Sequence, residues 1–357
     1  MKKIIPVILI LFSLSFVSAQ ATQQKPLSQA EYVRMLYDLQ KNPGKKDELV
    51  EAVRRRGIGF DLTDGLRGLT TSKSRNDAEL KRTLEEAARR RLNPEKSQLP
   101  SERESNEMLA KAREANLAAV DEMPDFVVKQ LISRGVAYAG TNNWKSIDKL
   151  TIAVSYSTTK GEQYKVLVLN GVPVNAESGS NYGGLSGATT RGEFVDDLAR
   201  IFKAESKTEF QLTDTDTLRG RRAIVYQFQI ALKNNKGDGI AFGSSSVYTS
   251  VSAGQKGKIW IDRNNFRVLR IEKQLTDIPA DFPVKAFEVS TEYDWVEIGG
   301  EKYLLPVLSD ARFTSTSSIG LLQDRNLIRF KDYQKYGSEV KILDDDEAVP
   351  EEKKPNQ

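Results

Sequence analysis

From Phe126 onward the hydrophobic period drops from about 3.6 residues to 2, and this change divides the chain. The run "LTIAVSYS" puts Leu150, Ile152, Val154 and Tyr156 on one side, with Thr151, Ala153 and Ser155 on the other. "AIVYQFQIAL" repeats the pattern with Ile224, Tyr226, Phe228, Ile230 and Leu232. "FEVSTEYDW" does so with Phe287, Val289, Thr291, Tyr293 and Trp295. Such alternation is the mark of antiparallel strands with one buried and one wet face. Asn170-Gly171, Arg219-Gly220, Arg263-Asn264-Asn265 and Gly299-Gly300 supply the turns. About ten strands are expected between residues 126 and 336, with one helix among them. That helix follows the loop "SGSNYGGLSGATT" and is expected to open on a Thr190/Glu193 capping box. Its apolar face is Phe194, Leu198, Ile201 and Phe202.

Residues 27–92 read instead as short helices. Ser28 and Glu31 form a capping box, and Leu27 and Tyr32 a hydrophobic staple. In "KKDELVEAVRRRGIGF", Leu49, Val50 and Val53 line one stripe, and Gly57 suits the left-handed C-cap position. Further helices are expected after Thr63 and from Arg75 to Arg91. The runs Arg54-Arg55-Arg56 and Arg89-Arg90-Arg91 fall in last helical turns, where cations offset the helix dipole rather than build an anion site. A proline-bearing linker, 94–104, ends at a Ser101/Glu104 capping box. The alanine-rich helix that follows stops at Pro124.

The amino terminus "MKKIIPVILILFSLSFVSAQ" reads as a secretory signal, with Lys2 and Lys3 before an apolar stretch and cleavage after Ala19. Ile4 to Val17 is shorter than the roughly 20 residues of a membrane span. The expected location is therefore the periplasm or beyond. The divisions expected are 1–19 signal, 20–93 helical module, 94–104 linker, 105–337 β-domain and 338–357 acidic disordered tail.

The chain has neither cysteine nor histidine. No disulfide can stabilise it, and thiolate or imidazole zinc sites and His-based nucleophilic catalysis are excluded. With 53 basic and 49 acidic residues the net charge is +4, and +2 without Lys2 and Lys3. No basic stripe interleaves with aromatics, so nucleic acid is not an expected partner.

The remaining motifs fail as chemistry. Asp262, in "KGKIWIDRNNFRVLRIE", lies where one strand turns into the next and reads as a turn residue. Ser157-Thr158-Thr159-Lys160 matches S-x-x-K but lacks its companion motifs and falls in a hairpin turn. Asp214 and Asp216 do not fit a calcium loop and are expected on the wet face of a strand. No carboxylate pair stands out for glycoside chemistry. No catalytic residue, metal or cofactor is expected.

"MPDFVVKQ", "YKVLVLNG", "GGLSGATTRGEF", "GKIWIDRNNFRVLRIE" and "YDWVEIGGEKYLLPV" together resemble a group of uncharacterised secreted bacterial proteins, over residues 105–335. Their order is also similar to the superfamily of the lipoprotein carrier LolA and the regulator RseB. "ELVEAVRRRGIGFDLT" resembles a short module that recurs in secreted bacterial proteins. The superfamily resemblance implies a curved antiparallel half-barrel with helices over its concave face, which binds acyl chains or hydrophobic peptide segments. The expected fold is thus α+β, a small all-helical module followed by a half-barrel covered by helices at 104–121 and 191–203. The candidate ligand-binding face is Ile152, Val154, Tyr156, Tyr226, Phe228, Ile230, Tyr293 and Trp295. A thin alanine-rich cover leaves room for a cavity, while filling by the helices themselves is the other outcome. The leading expectation is a non-enzymatic carrier of a lipid or lipoprotein acyl chain. The alternatives are an envelope adaptor acting on a protein partner through residues 20–93, and a carboxylate-dependent hydrolase.

Overall fold

A computed structural model describes residues 25–94, 98–141, 143–174, 182, 188–190, 192–235, 239–243 and 248–336. The expected signal, the acidic tail and most of the Gly/Ser-rich loop lie outside these residues. The chain divides into two compact units, Met1–Leu92 and Asn93–Gln357.

The first unit is helical: α1 (Gln29–Lys41), α2 (Lys46–Arg56), α3 (Asp64–Lys73) and α4 (Ala78–Leu92). Its apolar stripes meet in one core that includes Leu27, Tyr32, Leu36, Leu49, Val53, Leu80 and Leu84. Gly57 ends α2 at φ +68°, a conformation that costs glycine no Cβ clash. The chain then doubles back, so that Gly59 N–H donates to Leu27 C=O at 2.9 Å. Ser28 caps α1 by accepting from the Glu31 N–H, but the Glu31 carboxylate does not return the bond. It takes the Arg56 guanidinium instead, through two bonds of 2.7 and 2.8 Å. Arg54 pairs with Glu51 and Glu79, and Arg91 with Asp61, so these arginines are held in ion pairs of the unit itself.

The second unit opens with α5 (Glu102–Asp121), whose Ser101/Glu104 capping box is complete. Eleven strands make one open antiparallel sheet in the order β4-β3-β2-β1-β13-β12-β11-β10-β9-β6-β5. They are β1 (Phe126–Tyr138), β2 (Lys145–Ser157), β3 (Gly161–Leu169), β4 (Val172–Pro173), β5 (Glu209–Leu218), β6 (Arg221–Ile230), β9 (Gly254–Asp262), β10 (Val268–Thr276), β11 (Val284–Ile298), β12 (Glu301–Ser317) and β13 (Gly320–Lys335). A separate hairpin pairs β7 (Gly239–Gly243) with β8 (Tyr248–Ser252). The first and last long strands are neighbours, with Phe126 opposite Lys335 and Tyr138 opposite Leu322. The antiparallel strands are those the alternation predicts, and the α+β, covered half-barrel is the one the resemblance implies.

Three details differ from the sequence reading. The helix after the Gly/Ser-rich loop, α6 (Asp196–Phe202), starts later than Thr190 and has no side-chain cap. Gly192 explains the delay: at φ +88° it holds the chain outside helical space within the expected first turn. Asp214 and Asp216 are buried rather than wet. The outer face here carries a small apolar cluster of Leu218, Ala223, Val225, Trp260 and Leu269, and Asp216 accepts the Trp260 indole N–H at 2.9 Å. Asp262 is a turn residue, as expected, but fully buried. Its carboxylate accepts from Arg221 Nε and from the Asn264 N–H at 2.7 Å.

Asn116 joins α5 to the β9–β10 turn. Its amide donates to Phe266 C=O at 2.9 Å and accepts from Val268 N–H at 3.1 Å, while only 1% exposed. An Asn116→Ala substitution leaves those two backbone groups unpaired and should cost roughly 2–3 kcal/mol. Trp144, Trp260 and Trp295 all lie in this unit, so urea unfolding followed by tryptophan fluorescence measures it directly. A loss under about 0.5 kcal/mol, the range of an ordinary surface change, would show that Asn116 does not hold the helix.

Candidate functional site

The inward-facing strand residues form two apolar clusters on the concave face. One contains Phe126, Val128 and Ile132 of β1, Ile152, Val154 and Tyr156 of β2, and Ile328 and Phe330 of β13. The other contains Tyr226, Phe228 and Ile230 of β6, Ile259 and Ile261 of β9, and Tyr293 of β11. Phe194 belongs to the first and Leu198, one helical turn later, to the second, so one short segment covers both.

The residues expected to line the face separate accordingly. Ile152, Val154 and Tyr156 lie in the first cluster, and Tyr226, Phe228, Ile230 and Tyr293 in the second. Trp295 does not join them; it is 37% exposed, beside the Arg221 guanidinium. Beyond Tyr293 the strand's inward phase slips, so that Val296 and Ile298 face the first cluster. The pairing of β11 with β12 shifts register at the same place, between Glu292 and Tyr293, and such an irregularity re-aims side chains.

The cover has two parts. Ala112 and Ala119 bring α5 close to the sheet, with Met108, Leu109, Leu117 and Val120 filling the margins. Tyr226 donates its hydroxyl proton to Ser105 C=O at 2.9 Å. Leu198, Ile201 and Phe202 of α6 share that second cluster with α5, while Tyr182, Phe194 and Val195 pack against the first. The Phe194 ring packs against Phe126 at 5.3 Å and edge-on against Phe330 at 5.4 Å. Among the described residues the side chains of both clusters are buried beneath this cover. A cavity of about 190 Å³ lies among Arg134, Ile147, Ala188, Asp324 and Asn326.

Polar groups are sealed under the second cover. Glu162 of β3 accepts hydrogen bonds from the Tyr164 hydroxyl and from the Gly192 N–H, the latter at 3.0 Å. Lys273 pairs with Asp197. Glu193 is 4% exposed, and neither of its carboxylate oxygens has a partner. Burial, and then the neighbouring Glu162, push its pKa up to about 7. The adjacent Thr190 hydroxyl offsets part of that rise but makes no well-formed hydrogen bond. Burial also raises Glu162, and raises Tyr164, Tyr293 and Tyr333 well above the usual phenol range. On the floor, Gln130 is fully buried with both amide atoms unpaired. Among the described residues no acidic cluster has the arrangement of a metal site.

Glu193 was singled out only as a capping-box residue, and Gln130 and Glu162 by no motif. The signal for those two lay in parity. Gln130 interrupts the inward series Phe126, Val128, Ile132, and Glu162 shares the inward phase of Tyr164 and Val166.

The raised Glu193 pKa has a defined consequence for stability. The native acid holds its proton more tightly than the unfolded one, so its stabilisation is complete below pH 4.5 and is lost as pH rises toward about 7. Glu193→Gln should therefore raise the melting temperature little at pH 4.5 and markedly at pH 8. An equal shift at both values would mean that the carboxyl is not held protonated by burial.

No protein-family model and no curated protein matches the sequence. Solved structures similar to it include a LolA superfamily protein from Nitrosomonas europaea, 14% identical, covering 66% of this chain and 94% of that one at a TM-score of 0.27. A DUF1329 family protein from Desulfovibrio piger is 11% identical, covering 65% of this chain and 95% of that one at 0.29. The Pseudomonas aeruginosa MucA/MucB complex is 11% identical, covering 62% and 94% at 0.18.

Proposed function

We propose that the β-domain is a non-enzymatic binding protein of the bacterial envelope that takes an apolar ligand, a lipid or a lipoprotein acyl chain, onto its concave face. The observation that supports this is the mismatch between floor and cover. A broad apolar floor spans β1, β2, β6, β9 and β13, yet over the first cluster the described cover is Tyr182, Phe194 and Val195, on the approach to a seven-residue helix, and that approach carries an unpartnered buried carboxyl. Such a cover exchanges readily for a ligand, because lifting it rehydrates Glu193 while the ligand keeps the floor dry. The signal read in the sequence supports export to the periplasm or beyond, and no helix among the described residues is long and apolar enough to cross a membrane.

Native mass spectrometry of protein purified gently from a periplasm, with lipid extraction, tests the reading. A mass excess that resolves to a lipid is the expected result. Phe194→Ala, which removes the ring wedged between Phe126 and Phe330, should increase uptake of an apolar fluorescent probe at least severalfold. A bare mass, with no uptake by either the native or the Phe194→Ala protein, rejects it.

The covered face favours one other reading, an envelope adaptor in which the β-domain is a scaffold and residues 20–93 take a protein partner. Deleting that segment should then abolish partner capture while tryptophan fluorescence of the β-domain stays native. Unchanged capture rules it out.

A further inference from the structure

Three buried polar side chains near one another lack what buried polar groups almost always have. Unpaired groups of this kind are few in native proteins and call for a specific cause. Gln130 lies on the floor, opposite Ile152 on β2 and Phe330 on β13. Thr190 and Glu193 lie in the cover. The cover runs along the same rows, because Ala188 C=O accepts from Asn326 Nδ2 at 2.8 Å and Phe194 meets Phe330. Asn326 and Phe330 are four residues apart on β13, and Gln130 pairs with Phe330, so the contacts of Ala188 and Phe194 bracket the stretch of floor that holds Gln130.

We propose that Gln130 below and Thr190 and Glu193 above form a head-group pocket for an amphiphile bearing a protonated primary amine, its tail on the apolar floor. This rests on the carrier reading above. The charges facing the pocket decide the kind of head. Glu162, Asp196 and Asp197 are carboxylates of the same neighbourhood. The nearby cations are engaged elsewhere: Lys273 pairs with Asp197, and Arg134 is bound by Asp148. The phenols of Tyr164, Tyr182, Tyr293 and Tyr333 stay protonated, as burial and the carboxylates raise all four. An ammonium brings one positive charge and three donors to a place with surplus acceptors: both Glu193 oxygens, the Thr190 hydroxyl and Gln130 Oε1. A hydroxyl head brings one donor and no charge. A carboxylate head sets a like charge against Glu162 and Glu193.

The test compares three chain-matched probes, dodecylamine, dodecanol and dodecanoate, as competitors of a bound fluorescent apolar probe on the full mature protein at pH 7, below micelle formation. Dodecylamine should compete at least about tenfold better than dodecanol, the difference expected of one charge-assisted contact set, and dodecanoate worst. Glu193→Gln preserves shape and removes the charge; whatever it does to uptake of all three probes, it should bring the amine to the level of the alcohol. Gln130→Met, of similar volume, should weaken the amine several-fold with no loss for the alcohol. A purely structural role for these residues would shift all three probes together and leave their ratio intact. Equal binding of the three heads, or an amine preference that survives Glu193→Gln, overturns the head-group pocket while leaving the carrier reading standing. Failure of every chain to bind removes both.

Discussion

Phe194 and Leu198 stand one turn apart on a single short segment, and together they close both halves of the concave face. An open antiparallel sheet with one apolar side cannot leave that side wet, so whatever lies on it decides whether the domain is a scaffold or a container. Here the segment's four largest apolar side chains, Phe194, Leu198, Ile201 and Phe202, are all buried. At roughly 1.5–3 kcal/mol for each fully buried side chain, they outweigh the roughly 1–3 kcal/mol expected for an unsatisfied buried polar group such as the protonated Glu193 carboxyl. The cover therefore rests shut, with a margin narrowed by that group.

The two parts of the cover are attached by different chemistry. The helix α5 is held by neutral, well-directed hydrogen bonds from Asn116 and Tyr226, which salt and moderate changes of pH leave alone. The cover around α6 is held by apolar contact, by neutral bonds from Tyr293 to the Glu193 carbonyl and from Asn326 to the Ala188 carbonyl, and by two carboxylates, Glu162 with Gly192 N–H and Asp197 with Lys273. The carboxylate contacts change with protonation, and the neutral ones do not.

Much of this architecture was legible in the chain. Alternation at 150–156 and 224–230 gave the inward face, because a period of 2 allows no other placement once one side is buried; Leu232, expected in the second series, is instead exposed in a turn beyond β6, and Phe287 packs in a separate cluster. The Ser101/Glu104 box and Gly57 set helix ends through local chemistry alone. What escaped were effects of register and of contacts distant in sequence. Trp295 shares the parity of Tyr293, but next to the register shift between Glu292 and Tyr293 the inward phase changes and Trp295 lies beside Arg221. Asp216 looked wet because the Trp260 that buries it lies 44 residues away. Thr190 and Glu193 have capping-box spacing, yet the positive φ of Gly192 stops a helix from forming there, and the pair is left buried and unpaired. That failure of a local rule marks the part of the face where an external partner has most to offer.

If the face opens, the attachments dictate the order. Lifting α5 would strip the β9–β10 turn of the Asn116 bonds to Phe266 and Val268 while exposing Ile259, Ile261 and Tyr226 beneath it, a loss with no compensating gain. Lifting segment 188–202 also exposes apolar floor, but it returns Glu193, Thr190 and Gln130 to water or to a ligand and lets two neighbouring carboxylates ionise apart. Part of its cost is thus recovered at once, and a ligand that covers Phe126, Ile152 and Phe330 recovers the rest. Opening should begin over the β1–β2–β13 half, where the floor is aromatic and the polar groups are gathered, with α5 remaining as the fixed wall against which a bound chain would lie.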